Sequence, residues 1–96
     1  MNVRFEWDRA KAALNLHDHR VSFEEATTTF DDPLALIFDD EGHSIDEHRE
    51  IIIGQSIVNR LLIVCFTERA GGVIRIFSAR LAIRKERTDY EENVRF

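Results

Sequence analysis

The order of apolar and polar positions divides the chain into a helical first third and a strand-rich remainder. Val3–Trp7 reads as a short strand. Asp8 follows in N-cap position, and Ala10, Ala13, Leu14 and His17 recur at i, i+3, i+4 and i+7, the stripe of a first helix. Ser22-Phe23-Glu24-Glu25 has the form of a capping box: the serine oxygen accepts the N3 amide while Glu25 reaches back. A second helix is therefore predicted from Phe23 to Phe30. Asp31-Asp32-Pro33 ends it, because the residue before a proline is pushed out of the α region.

Beyond the proline the period shortens. Leu34–Phe38, Arg49–Ile57, Arg60–Thr67 and Val73–Phe77 are runs of β-branched and aromatic residues. Val58-Asn59 and Ala70-Gly71-Gly72 are hairpin-length connections, which predicts an antiparallel meander. Arg60–Thr67 is apolar at consecutive positions, the mark of a central strand covered on both faces. The acidic stretch Asp39–Glu47 is long enough for a mobile loop. A last helix is predicted from Ser78 as N-cap, with Ala79, Ala82, Ile83, Glu86 and Tyr90 on one side and Arg80, Arg84 and Arg87 on another. The class is α+β: a curved antiparallel sheet of four to five strands, with two N-terminal helices and one C-terminal helix.

Ninety-six residues allow one domain, 1–96, with one modest core. No run reaches the ~18–20 apolar residues of a membrane span, and the first residues do not form a signal peptide, so the expected compartment is the cytoplasm. Cys65, the one cysteine, is expected to behave as a small buried hydrophobe. His17 with His19, or His43 with His48, match no recognisable zinc spacing, and neither a metal nor another cofactor is expected.

Charge changes the picture. The formal total of −5 conceals a run, residues 60–87, with seven Lys/Arg against two Asp/Glu. Guanidinium groups suit phosphate oxygens, and phosphate contacts follow local charge more than net charge. A basic patch on an acidic body points to a polyanion.

The string FEWD…K…N…H-x-V-SFEEA…F-x-DP…HS-x-x-E-x-R…I-G-x-S…R-LL-x-V-x-FTER…IRI-x-SAR-x-A-x-R-x-E-R-x-x-YE, from Phe5 to Glu91, resembles the BrnT toxins of bacterial type II toxin–antitoxin systems. The resemblance implies a RelE-like ribonuclease fold and metal-independent RNA cleavage that arrests translation. It also implies a cognate BrnA-like antitoxin with a ribbon-helix-helix part, in a 2:2 complex that touches DNA only through the antitoxin. The matching polar positions are Lys11, His19, His43, Glu47, Arg49, Arg60, Arg69, Arg80, Arg84, Glu86 and Tyr90. One departure stands out: family members commonly carry Lys-His-Gly where this chain has Asp18-His19-Arg20.

Metal-free RNA cleavage by the 2′-hydroxyl needs a base, cations on the developing phosphorane charge and help for the leaving oxygen. Arg60, opening the central strand, and Arg80, in the expected first turn of the last helix, are the first choices for those cations. The alternative is that both form structural ion pairs. His19 and Glu86 are candidates for acid or base, with Glu86 equally suited to orienting an arginine. Tyr90 is a candidate for stacking or phosphate contact, or for a ring closing the core. Lys11, Arg20, Arg69, Arg75, Arg84, Lys85 and Arg87 are candidate RNA contacts, and Arg84, Lys85 and Arg87 read as a solvated face that steers RNA or the antitoxin and not as chemical participants. Arg60, Arg75 and Arg80 are expected to converge in one cleft. Three functions remain open: an endoribonuclease, a cleavage-impaired module that mainly binds its antitoxin and assists operon autorepression, and a nucleic-acid binder without chemistry.

Overall fold

The computed structural model describes residues 3–43 and 46–93. Ser44 of the family string, with part of the expected acidic loop, lies outside the described residues, as does the environment of the His43 side chain. Five strands form one sheet: β1 (Arg4–Glu6), β2 (Leu36–Asp39), β3 (Glu50–Gln55), β4 (Leu61–Arg69) and β5 (Val73–Leu81). Their order is β1-β5-β4-β3-β2. β2 to β5 form the expected antiparallel meander, but β1 runs parallel to β5, Arg4 facing Val73 and Glu6 facing Arg75. The sheet is therefore mixed and not wholly antiparallel. The helical residues between β1 and β2 supply the long crossover that a parallel pair requires.

Helix α1 (Arg9–His19) starts as predicted, with Asp8 accepting from the Ala10 amide at 3.1 Å. Its buried face is not the predicted one. Leu14 is 61% exposed, Ala10, Ala13 and His17 also face out, and the buried residue is Asn15. Asn15 donates to the carbonyls of Ala79 (2.7 Å) and Val21 (3.0 Å) and accepts from the Ala79 amide (3.1 Å). A side-chain amide thus takes the place of a neighbouring strand along the edge of β5 that β1 is too short to cover. A polar residue anchors the helix, so hydrophobic periodicity pointed elsewhere.

Helix α2 (Phe23–Thr27) is capped by Ser22, whose Oγ accepts from the Glu25 amide at 3.0 Å. The other half of the box is not made: the Glu25 carboxylate turns to Arg60 and Ser56. Thr27, Thr28 and Thr29 each donate to the carbonyl three residues back, and the chain tightens into a 3₁₀ turn over Thr28–Asp31. This turn rests on Gly54, where an added Cβ would come within 3.0 Å of the Thr29 carbonyl. Asp32 is extended (φ −75°, ψ 111°), as its place before Pro33 demands.

Cross-strand partners share a face, which separates two cores. Ile52, Val64 and Ala79 lie in line, and with Leu62, Phe66 and Ile76 they meet Val21, Phe23 and Ala26 on the side of α1 and α2. Phe30 ties β1 to this core, its ring 5.3 Å from Phe5 and 4.9 Å from Phe66. Ile53, Leu61 and Ile63 form a smaller core on the other face, under Ala82 and Tyr90. That second face is only partly covered.

The last helix, α3 (Arg84–Asn93), begins five residues later than predicted, and Ser78–Leu81 belong to β5. The cause is a bulge. Phe66 faces Ile76 and Cys65 faces Ser78, so Phe77 has no partner. One extra residue reverses the alternation, which puts Ser78 and Arg80 on the open face and returns Ala79 to the core. In sequence, that break of period looks like a helix start.

Candidate active site

The uncovered sheet face carries a groove of about 320 Å³ lined by Lys11, Asp40, Arg49, Ile51, Ile63, Cys65, Phe77, Ser78 and Arg80. Its floor comes from β3, β4 and β5: Ile51, Cys65 and Ser78 are in register, as are Ile63 and Arg80. Lys11 reaches it from α1, its Nζ 5.8 Å from the centre of the Phe77 ring. The Arg49 guanidinium stacks over the same ring at 3.8 Å. Phe77, the bulged residue, thus holds two cations from distant parts of the chain. A smaller hollow of about 170 Å³ adjoins it, sharing Lys11 and Phe77 and adding Leu14, Asn15, Asp18 and His19.

Arg80 is fixed by Glu86 through two bonds, Nη1 to Oε1 at 2.8 Å and Nη2 to Oε2 at 2.7 Å. Glu86 Oε1 also accepts from the Ile83 amide at 2.9 Å, the reach-back half of a capping box that starts α3. One carboxylate therefore both begins the helix and aims the arginine. The Arg80 bonds, followed by the Ile83 amide, hold Glu86 below the usual carboxylate range against the effect of burial. Glu86 is accordingly an ionised brace. Arg80 keeps donors beyond those given to Glu86 and the Leu81 carbonyl.

The expected convergence of Arg60, Arg75 and Arg80 is not met. Arg60 sits on the α2 side, bonded to Glu25 through Nε (3.0 Å) and Nη2 and to the Arg20 carbonyl (2.9 Å). Ser56 joins this network through Glu25 Oε2 at 2.7 Å, so its role is to pin the β3–β4 turn to α2. Arg75 shares the face of Arg80 but pairs with Glu6 at 2.9 Å, outside the groove. Arg69 bridges Glu6 and Glu47. Acidic residues of β1, α2 and α3 fold back onto the basic run, which dissolves the patch inferred from sequence.

Arg84, Lys85 and Arg87 lie exposed on α3, with Lys85 paired to Asp89 at 3.3 Å. Arg20 caps α1 in the left-handed region (φ 58°, ψ 30°), its side chain exposed. His19 is exposed at the end of α1 in the adjoining hollow. Tyr90 is committed: its hydroxyl donates to Asp32 Oδ2 at 2.7 Å. Burial first, and Asp32 next, push its pKa up to about 12. Asp32 also accepts from the Gln55 amide, and these bonds outweigh burial to keep its carboxyl low.

Cys65 is half-buried in the groove floor, not enclosed, and its thiol donates to Asp40 Oδ2 at 3.3 Å. Burial and the Asp40 carboxylate raise the thiol to about 12, so it stays protonated and unreactive. Sequence reasoning left Arg49, Asp40 and Phe77 off the site. Arg49 is the one that the family string already contained. Asp39, His48 and Glu50 bring three potential metal-ligand atoms within 4.8 Å of one another, a grouping that linear spacing hid because Asp39 faces Glu50 across β2–β3.

The family described as the ribonuclease toxin BrnT of type II toxin–antitoxin systems matches residues 7–86. That span takes in Lys11, Arg49, Arg80 and Glu86. Among solved structures, the Brucella abortus ribonuclease toxin BrnT is similar, with a TM-score of 0.68 and 19% identity over 86% of this chain and 100% of that one. At that identity the likeness concerns the fold. No curated protein matches. Among the described residues, no helix is long and apolar enough to cross a membrane.

Proposed function

The chain belongs to the BrnT family of ribonuclease toxins of type II toxin–antitoxin systems, and from that premise we propose that it cleaves single-stranded RNA in the groove on the open sheet face. The observation that carries the reading is the meeting of Lys11, Arg49 and Arg80, from α1, the approach to β3 and the bulged end of β5, around one nucleotide-sized hollow. Three cations there suit a sugar–phosphate backbone.

In the proposed reaction the 2′-oxygen attacks the neighbouring phosphorus, the bond to the 5′-oxygen breaks, and a cyclic phosphate forms. Arg80, aimed by Glu86, faces the charge that grows on the phosphorane oxygens, while Lys11 and Arg49 hold the flanking phosphates. His19, in the adjoining hollow, is the proposed proton carrier, and no metal takes part. Arg60 is reassigned to structure and Tyr90 to holding α3. Arg20, Arg69, Arg75, Arg84, Lys85 and Arg87 are left to steering RNA or the partner.

The partner is an antitoxin, as membership of a type II family implies. We take it to be BrnA-like, in a 2:2 complex that meets operon DNA through the antitoxin in the cytoplasm. A cleavage-impaired module is the second reading, favoured by Asp18, an acid lining the hollow beside Lys11 and His19. Purified protein incubated with single-stranded RNA and excess EDTA separates the two. Cleavage that survives chelation and disappears in Arg80→Ala supports the enzyme; intact RNA with tight antitoxin binding supports the module.

A further inference from the structure

The groove also holds a carboxylate among its cations. Asp40 follows β2, and its amide donates to the Arg49 carbonyl at 2.9 Å, which extends the β2–β3 ladder by one step and fixes its backbone. Its side chain lines the groove among the cations and accepts from the Cys65 thiol on the floor. A carboxylate in that place repels phosphate, so its complement in RNA is a part that offers N–H groups. Only the bases do.

We propose that Asp40 reads the base bound in this groove and gives the protein a preference for guanine; the inference rests on the ribonuclease reading of the same site. Guanine alone presents two adjacent donors, N1–H and N2–H, on its Watson–Crick edge, a match for two carboxylate oxygens. Adenine and cytosine offer an amino group beside a ring acceptor. Uracil offers one N–H between two carbonyls that a carboxylate repels. The Arg49 guanidinium, its centre 3.8 Å from that of the Phe77 ring, supplies a plane on which such a base stacks. Arg80 lines the same groove from β5, where it can reach the phosphate of that nucleotide.

The test uses two readouts on the intact protein. Four RNA oligonucleotides that differ only in one G, A, C or U give cleavage ratios, and the four nucleoside 3′-monophosphates give binding ratios by titration calorimetry. Guanine is expected to exceed uracil by about tenfold or more in both, the discrimination of one good paired contact. In Asp40→Asn that ratio is expected to fall to within about threefold, a change that a merely structural aspartate would not produce. Equal treatment of the four bases by the wild-type protein, or a guanine preference retained in Asp40→Asn, overturns the proposal. Selective guanosine monophosphate binding without any cleavage refutes the ribonuclease reading and leaves base reading standing. Indiscriminate cleavage does the reverse, and absence of both binding and cleavage refutes both. If Asp40→Asn does not fold, the wild-type ratios decide alone.

Discussion

Asn15 of α1 and Ala79 of β5 exchange two hydrogen bonds, Asn15 Nδ2 donating to the Ala79 carbonyl and the Ala79 amide donating to Asn15 Oδ1, although 64 residues separate them in sequence. The contact seals the exposed backbone of β5 beside Arg80, so the stability of α1 and the position of the groove depend on the same side chain. Asn15→Ala takes a partner from one buried N–H and two buried C=O groups. A loss of about 2–4 kcal/mol is expected, read from urea denaturation midpoints.

Arg60 and Arg80 look alike in sequence but are expected to respond differently. Arg60→Ala strands Glu25, of which only 12% of the side chain is exposed, and a stability loss of roughly 1–3 kcal/mol is expected. Its cleavage rate per folded molecule is expected to stay near wild type. Arg80→Ala is expected to reduce cleavage by about a hundredfold or more, far beyond what its smaller stability loss accounts for. Single-turnover rates measured beside thermal melts check both, and matching losses in the two variants would contradict the assignment.

Acid acts on the same pairs. The Arg60 bond holds Glu25 below its ordinary range, and the Arg80 bond does so for Glu86. A carboxylate depressed on folding adds stability above its unfolded pKa of 4.5, and that contribution disappears as pH falls through the lower folded value. Stability should therefore drop below pH 4.5, and Glu25→Gln should show a shallower drop from a lower neutral value. Tyr90 behaves in the opposite sense: its contribution is complete below pH 10 and is lost as pH climbs towards about 12. It is the one tyrosine in the chain, so absorbance near its phenolate band follows that titration directly.

Arg20 occupies a left-handed backbone position at the end of α1, where a side chain costs about 1 kcal/mol and glycine does not. Arg20→Gly is expected to stabilise the protein by about 0.5–1 kcal/mol in denaturant titrations, since the carbonyl that accepts from Arg60 is retained. A destabilised variant would show that the exposed guanidinium contributes more than the strain.

Turn chemistry and short-range patterns were legible in the sequence. Asp8, Ser22 and Pro33 mark the boundaries they were expected to mark, and the four-strand meander follows from the runs and their connections. Three things were not. The bulge at Phe77 is a property of pairing between β4 and β5, so no local pattern announces that Arg80 lies on a strand. The inward face of α1 is set by one polar residue, against the grain of its leucines. The basic run meets its counter-charges only in three dimensions: Glu6, Glu25 and Glu47 are remote from it in sequence. Lys11 and Arg49 enter the groove for the same reason, each brought there by Phe77.

The parallel pairing of Arg4–Glu6 with Val73–Arg75 has a consequence for the order of events during synthesis. β1 has to wait for the last of the five strands, since among the described residues its neighbour in the sheet is β5. The same late segment carries Phe77 and Arg80, and Glu86 follows it. A nascent chain can build α1, α2 and the β2–β3 hairpin while still lacking every β5 side chain of the groove. Birth and armament are thus separated in time, and the translating machinery holds an unfinished cleft until β5 has been made.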